Sequence, residues 1–154
     1  MDVVFQVLAG WFVIDLITGL WHFFIDHRKP TDPIIGSMVA DFQEHHLNPL
    51  SMEPYSFFYR NYQAATVSLL ALVFACFFWP WFWLAVWIGG TICQQAHHWA
   101  HSPRPWPIAI LQQLGILISK EAHLRHHRNF ERSFGILNGW SHGFLDLLLG
   151  RIYP

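Results

Sequence analysis

Residues 81–101 form a run that is apolar for most of its length and closes in Gln94-Gln95-Ala96-His97-His98-Trp99-Ala100-His101. Residues four apart share a helix face. His97 and His101 can therefore bind one metal ion, or each can support one ion of a pair. His98 points about a quarter-turn away. Any fold of this chain has to settle what an apolar helix does with imidazoles at its end, and which other groups it brings to them.

Composition places that helix in a membrane. The chain is 53% hydrophobic and 18% aromatic with only 12% charged residues, too apolar for an ordinary soluble domain. At 154 residues it is read as a single domain, 1–154. A formal net charge of −1 gives no electrostatic basis for binding nucleic acid. Cys76 and Cys93 both fall in apolar runs and are read as buried thiols. The first apolar run carries acidic Asp2 and no small-residue cleavage site, so it is not read as a signal peptide.

Three membrane spans are expected, at residues 3–26, 61–79 and 81–101, each near the roughly 20 residues a bilayer requires. Asp15, Thr18, His22 and Asp26 lie at spacings of three and four in the first, on one face. Polar groups at that depth usually face a protein interior or a site. Residues 27–60 form a polar connection with a short helix over 36–46, and 78–81 a tight aromatic turn. The apolar stretch 108–119 is too short to span and is read as an interfacial or re-entrant helix. The tail, 134–153, is expected to pack back on the membrane surface. All nine Lys and Arg fall in 28–60 or 104–151. With three spans those segments share one side, the cytoplasmic one, and the histidines gather there too. The expected fold is an all-α integral membrane protein of about three transmembrane helices, with interfacial helices and a histidine cluster on the cytoplasmic side.

The imidazoles on that side are His22, His45, His46, His97, His101, His123, His126 and His127. His123, His126 and His127 form H-x-x-H-H and share a helix face. Eight nitrogen donors exceed what one tetrahedral zinc can use and suit two ions. Imidazole alone does not choose among iron, copper, zinc and nickel. Asp26 or Glu44 can offset the ions' charge, either directly or by hydrogen bonding to ligands. Asn61 is a further candidate through water, with a helix cap the simpler account. A site at the membrane face can receive a lipid chain, and Trp99, inside the third box, can wall a substrate channel. Cleaving an unactivated C–H bond requires a redox metal and O₂.

Histidine boxes beside membrane spans resemble those of integral-membrane fatty-acid desaturases and hydroxylases. More closely, the chain is similar to the Kua / plasmanylethanolamine desaturase family of lipid desaturases. That group includes a bacterial carotenogenesis regulator and a plant plastid enzyme acting on phosphatidylglycerol. The matching pieces are Asp15-x-x-x-Gly19-Leu-Trp21-His22-x-x-x-Asp26, Phe42-x-Glu44-His45-His46-x-x-Pro49, Asn61, Gln95-x-His97-x-Trp99-Ala-His101, Leu111-Gln112, His123-x-x-His126-His127 and Gly139-Trp140, in the family's order. Two positions depart from the pattern: Ala122 stands where a further histidine is usual, and His142 where an Asn is frequent. The resemblance implies an O₂-dependent di-iron desaturase that introduces a double bond into an acyl or alkyl chain of a membrane lipid. It implies the eight boxed histidines as metal ligands, no catalytic side chain beyond the metal centre, and a separate electron donor, a ferredoxin or b-type cytochrome.

Competing readings remain at this level. His27, His98 and His142 are read as helix-end or interfacial imidazoles. A hydroxylase would use the same centre. A membrane b-type haem protein needs only two to four of these histidines, leaving the pairs His45-His46 and His126-His127 unexplained. A metal carrier or sensor would want ligands along a path through the spans. Zinc hydrolase chemistry finds no H-E-x-x-H here.

Overall fold

The computed structural model describes residues 2–149. Within them the chain is all helix and loop. The first helix, α1 (Val3–Asp26), starts where the Asp2 carboxylate accepts the Val4 N–H at 2.7 Å, satisfying one of the free donors of a first turn. It stops at His27, ahead of Arg28-Lys29-Pro30, because proline cannot continue a helix. Helix α2 (Gly36–Leu47) follows in the polar connection. Then come α3 (Phe57–Ser68), opened by a Ser56 cap, and α4 (Leu70–Ala75).

Helix α5 (Pro80–His101) is the central element, packed along α1, α3 and α4. Its first residue is a proline, whose fixed φ suits that position. The preceding Trp79 takes a left-handed conformation (φ 48°) in the tight turn. Beyond α5 come three short helices, α6 (Trp106–Gln113), α7 (Lys120–Arg128) and α8 (His142–Leu149). Gly115, at φ +68°, ends the α6 turn, a conformation glycine adopts without strain.

Two apolar clusters hold these pieces. The larger joins α1, α5 and the 117–137 region through Ile14, Val86, Cys93, Ala96, Ala100, Ile118, Ile136 and Leu137. The smaller packs Phe134, Leu145 and Leu149 against Leu16 and Phe23, seating α8 on α1. Close approach of α1 to α5 depends on missing side chains. A Cβ added at Gly10 would collide with the Phe82 carbonyl and lie 3.0 Å from the Ala85 Cβ.

Three expectations are revised. Among the described residues, α1 alone is both long and apolar enough to cross a membrane. The 61–79 run is divided into α3 and α4, which meet at Leu69, and the last turns of α5 are given over to Gln94, Gln95 and imidazoles. The 108–119 helix is only the eight residues of α6, starting two residues earlier. Cys76 is exposed while Cys93 is buried, and both are free thiols. Arg151 and the end of the tail lie outside the described residues.

Gly10→Val should destabilise the protein by about 1–3 kcal/mol, the cost of forcing extra carbons into a packed contact. A thermal or denaturant melt of the purified protein checks this; an unchanged midpoint would show that α1 and α5 are not held at this distance.

Candidate metal centre

Four helices converge at one end of the bundle. Helix α1 brings His22 and Asp26, one turn apart. Helix α2 brings His45 and His46, α5 brings His97 and His101, and α7 brings His123, His126 and His127. Their donor atoms fall into two groups, each compact enough that all donors lie within 4.8 Å of one another. One is His45, His97, His101, His123 and His127; the other is His22, Asp26, His46 and His126.

The division follows from helix geometry. Adjacent residues on a helix diverge by about 100°, so each neighbouring pair forks. His45 enters the five-imidazole group and His46 the carboxylate-bearing one; His127 enters the first and His126 the second. His97 and His101, four apart, stay together, and so do His123 and His127. The groups adjoin: the rings of His22 and His97 are 5.9 Å apart, and those of His45 and His46 6.2 Å.

The spacing suits metal coordination. Two nitrogens on one ion at about 2.0–2.1 Å, at angles between square and tetrahedral, sit roughly 2.8–3.4 Å apart. His123 Nε2 and His127 Nε2 are 3.1 Å apart, and His46 Nε2 and His126 Nε2 3.2 Å. Asp26 Oδ2 lies 3.3 Å from both His22 Nε2 and His126 Nε2, and its Oδ1 3.7 Å from His46 Nε2.

Many of the donor atoms are also buried and unclaimed. Among the described residues, nine buried atoms here have no hydrogen-bond partner: His22 Nε2, both Asp26 oxygens, both nitrogens of His45 and of His97, His101 Nε2 and His123 Nδ1. The Asp26 contacts just given are close but lack hydrogen-bond geometry. At about 1–3 kcal/mol for each bare polar atom, nine would cost on the order of 10–25 kcal/mol. A whole domain is stable by about 5–15 kcal/mol. A cluster of that kind fits groups built to hold metal.

Tautomers are fixed where a partner exists. His22 Nδ1 faces Phe134 O at 3.1 Å and His126 Nδ1 faces Arg132 O at 2.8 Å. A carbonyl accepts, so each Nδ1 carries the proton and each Nε2 lone pair points into the group. Burial and neighbouring imidazoles hold His45, His46, His123 and His127 neutral. His45 is pushed down to about 2, by burial first and then by His101 and His127. His46 and His127 fall to about 4 and His123 well below the ordinary range, burial again leading. Phe42, Phe130 and Phe134 wall the second group, with Phe130 stacked on His46 at 4.6 Å.

The structure thus brings together all eight boxed histidines and Asp26. Glu44 is exposed and outside both groups. Asn61 is engaged elsewhere: its Oδ1 accepts the Gln95 N–H at 3.1 Å and its Nδ2 donates to Phe57 O at 2.8 Å, fastening α3 to α5. Trp99 packs against the larger apolar cluster. Of the other imidazoles, His27 contacts Glu131 at 3.2 Å, His98 lies 3.4 Å from Glu53, and His142 faces Gly135 O at 2.9 Å. None joins either group. Sequence reasoning missed the carbonyls of Phe134 and Arg132, since a backbone oxygen carries no residue signature. It also gave Asp15 a face but no partner.

An apolar helical bundle with two adjoining, histidine-rich donor groups defines the class: a protein with a candidate centre that could hold metal ions at one end of its helices. The particular family follows from comparison with known proteins. The lipid desaturase domain model matches residues 11–149, and the chain belongs to that family. It is 28% identical to mouse (Mus musculus) plasmanylethanolamine desaturase 1, over 95% of this chain and 61% of that protein. It is 30% identical to the chloroplastic fatty acid desaturase 4 of Arabidopsis thaliana, over 90% of this chain and 46% of that one. The chain spans about half the length of the curated relatives it matches. No solved structure matches it.

A pH dependence follows for metal-free protein. The unfolded chain protonates its histidines below about pH 6.5, whereas folded His46 and His127 resist until about 4. The unfolded state then binds more protons, so stability is full above about pH 6.5 and falls as pH drops towards 4. Melting temperatures of metal-free protein across that window check this; a flat profile would mean the rings are not kept dry.

Proposed function

We propose that this chain is an O₂-dependent di-iron desaturase that places a double bond in an acyl or alkyl chain of a membrane lipid. The observation that carries it is the pairing of two largely buried, adjoining donor groups in a chain of the lipid desaturase family. In the overall reaction, two hydrogens leave neighbouring carbons, an alkene forms, and O₂ with two electrons and two protons becomes two waters. Iron bound in the two groups would supply the oxidising power that C–H cleavage requires.

The chain's own residues do the rest. His45, His97, His101, His123 and His127 would hold one ion, and His22, His46, His126 and Asp26 the other. Asp26 brings the centre's one carboxylate and so lowers the local positive charge. The Phe134 and Arg132 carbonyls keep two lone pairs aimed. Phe42, Phe130 and Phe134 keep water from the second group, limiting side reactions. Electrons come from a separate protein, a ferredoxin or b-type cytochrome.

We also infer that α5 and the α3–α4 pair cross the bilayer alongside α1, with the centre on the cytoplasmic side. Helix α5 is long enough but less apolar than α1, and the α3–α4 pair reaches a span only as two joined helices. Helix α1 is 24 residues and α5 is 22, about 36 and 33 Å at 1.5 Å per residue. Exposed Val4, Phe5 and Ile17 on α1, with Val67, Leu70 and Phe77 on α3–α4 and beyond, supply lipid-facing surface. The haem reading fits less well. Axial ligation would use two of the nine donor residues and leave the rest of both groups unexplained.

Metal analysis of purified protein, with lipid mass spectrometry of cells with and without it, tests this. About two irons per chain and a lipid lighter by two hydrogens are expected. His45→Ala and His126→Ala should each abolish the new lipid. One zinc per chain and an unchanged lipidome would overturn the reading, and a lipid heavier by one oxygen would replace desaturation with hydroxylation.

A further inference from the structure

Two turns before His22, on the same face of α1, Asp15 is fully buried. Its carboxylate is filled by one loop. Oδ1 accepts the N–H groups of Leu137, Asn138 and Gly139 at 3.1, 3.0 and 3.2 Å. Oδ2 accepts the Ser141 N–H at 3.0 Å and its hydroxyl at 2.6 Å. Gly135 leaves room for this: a Cβ there would sit 2.7 Å from Oδ2. Hydrogen bonds to a charged acceptor are roughly twice as strong as neutral ones, and five of them converge here.

The same segment carries the two carbonyls that orient imidazoles. Phe134 O takes the His22 Nδ1–H and Arg132 O the His126 Nδ1–H. Both imidazoles belong to the group that contains Asp26. In the five-imidazole group, both nitrogens of His45 and His97 and the Nδ1 of His123 lack any such partner among the described residues.

We propose that Asp15 is a positioning residue for one metal site only, the one formed by His22, Asp26, His46 and His126, acting through the 132–141 segment. It rests on the metal-centre reading above. Asp15 pins the segment, the segment presents two carbonyls, and the carbonyls fix which nitrogen of His22 and His126 is free to coordinate. A merely structural Asp15 would make a different prediction. The segment also touches the lead-in to α7, where the Ile118 N–H donates to Leu137 O at 2.7 Å. General loosening would therefore weaken both sites together.

Cobalt(II) titration of metal-free protein, followed by visible absorption and calorimetry, separates these. The unaltered protein should take up two ions. Asp15→Asn keeps the size but loses the charge and an acceptor. It should leave one step near normal and weaken the other by about 10–100-fold, the usual effect of losing an outer hydrogen-bond partner. Ser141→Ala removes one donor to Oδ2 and should weaken the same step less. Equal weakening of both steps, or of neither, would overturn the proposal. Should circular dichroism show Asp15→Asn unfolded, Ser141→Ala decides by the same criterion. No cobalt uptake by the unaltered protein would instead sink the metal-centre reading, and this proposal with it.

Discussion

A neutral imidazole can bind a metal only if its lone pair is both free and aimed, and both conditions are costly in a folded protein. Freedom means that no donor inside the protein has claimed the nitrogen. Aim means that the ring cannot turn away or swap tautomers. Here nine buried donor atoms are left without partners in one small region, while two rings are tied at the opposite nitrogen by backbone carbonyls. Everything else in the molecule is arranged so that this unfavourable concentration of polar atoms persists. The apolar clusters on either side of α1 supply the opposing stabilisation.

Two donor groups arise from few helices because of the helix's own pitch. A pair of adjacent histidines cannot point the same way, so His45-His46 and His126-His127 each serve both groups. Residues four apart can, so His97 and His101 serve one. The result is asymmetric. One group is all imidazole, and the other includes the Asp26 carboxylate and the carbonyl-oriented rings. The two positions therefore differ in charge, in shielding and in what holds their ligands.

Much of this was legible in the residues. The bounds of α1 are those the apolar run suggests, since Asp2 and Pro30 punctuate it. The short helix in the polar connection was visible from its flanking breakers. The eight histidines stood out because spacings of three and four repeat at the ends of apolar stretches. Their assignment to two groups was not legible, because it depends on how α2 and α7 are rotated against α1 and α5, which no local spacing encodes. Asn61 and Glu44 were ambiguous for a similar reason. A polar residue near a box is bound to the site or to a neighbouring backbone according to tertiary contacts alone, and Asn61 takes the backbone. The irregular turn at Leu69 went unseen because nothing in 61–79 carries a proline or glycine to announce it.

The central claim is that two unlike donor sets each hold an iron. Mössbauer spectroscopy of protein reconstituted with iron-57 addresses it most directly, because each nucleus reports its own ligands. Five nitrogens on one side and three nitrogens with a carboxylate on the other should give two iron environments in equal amounts. A single environment accounting for all bound iron, at one ion per chain, would contradict the account.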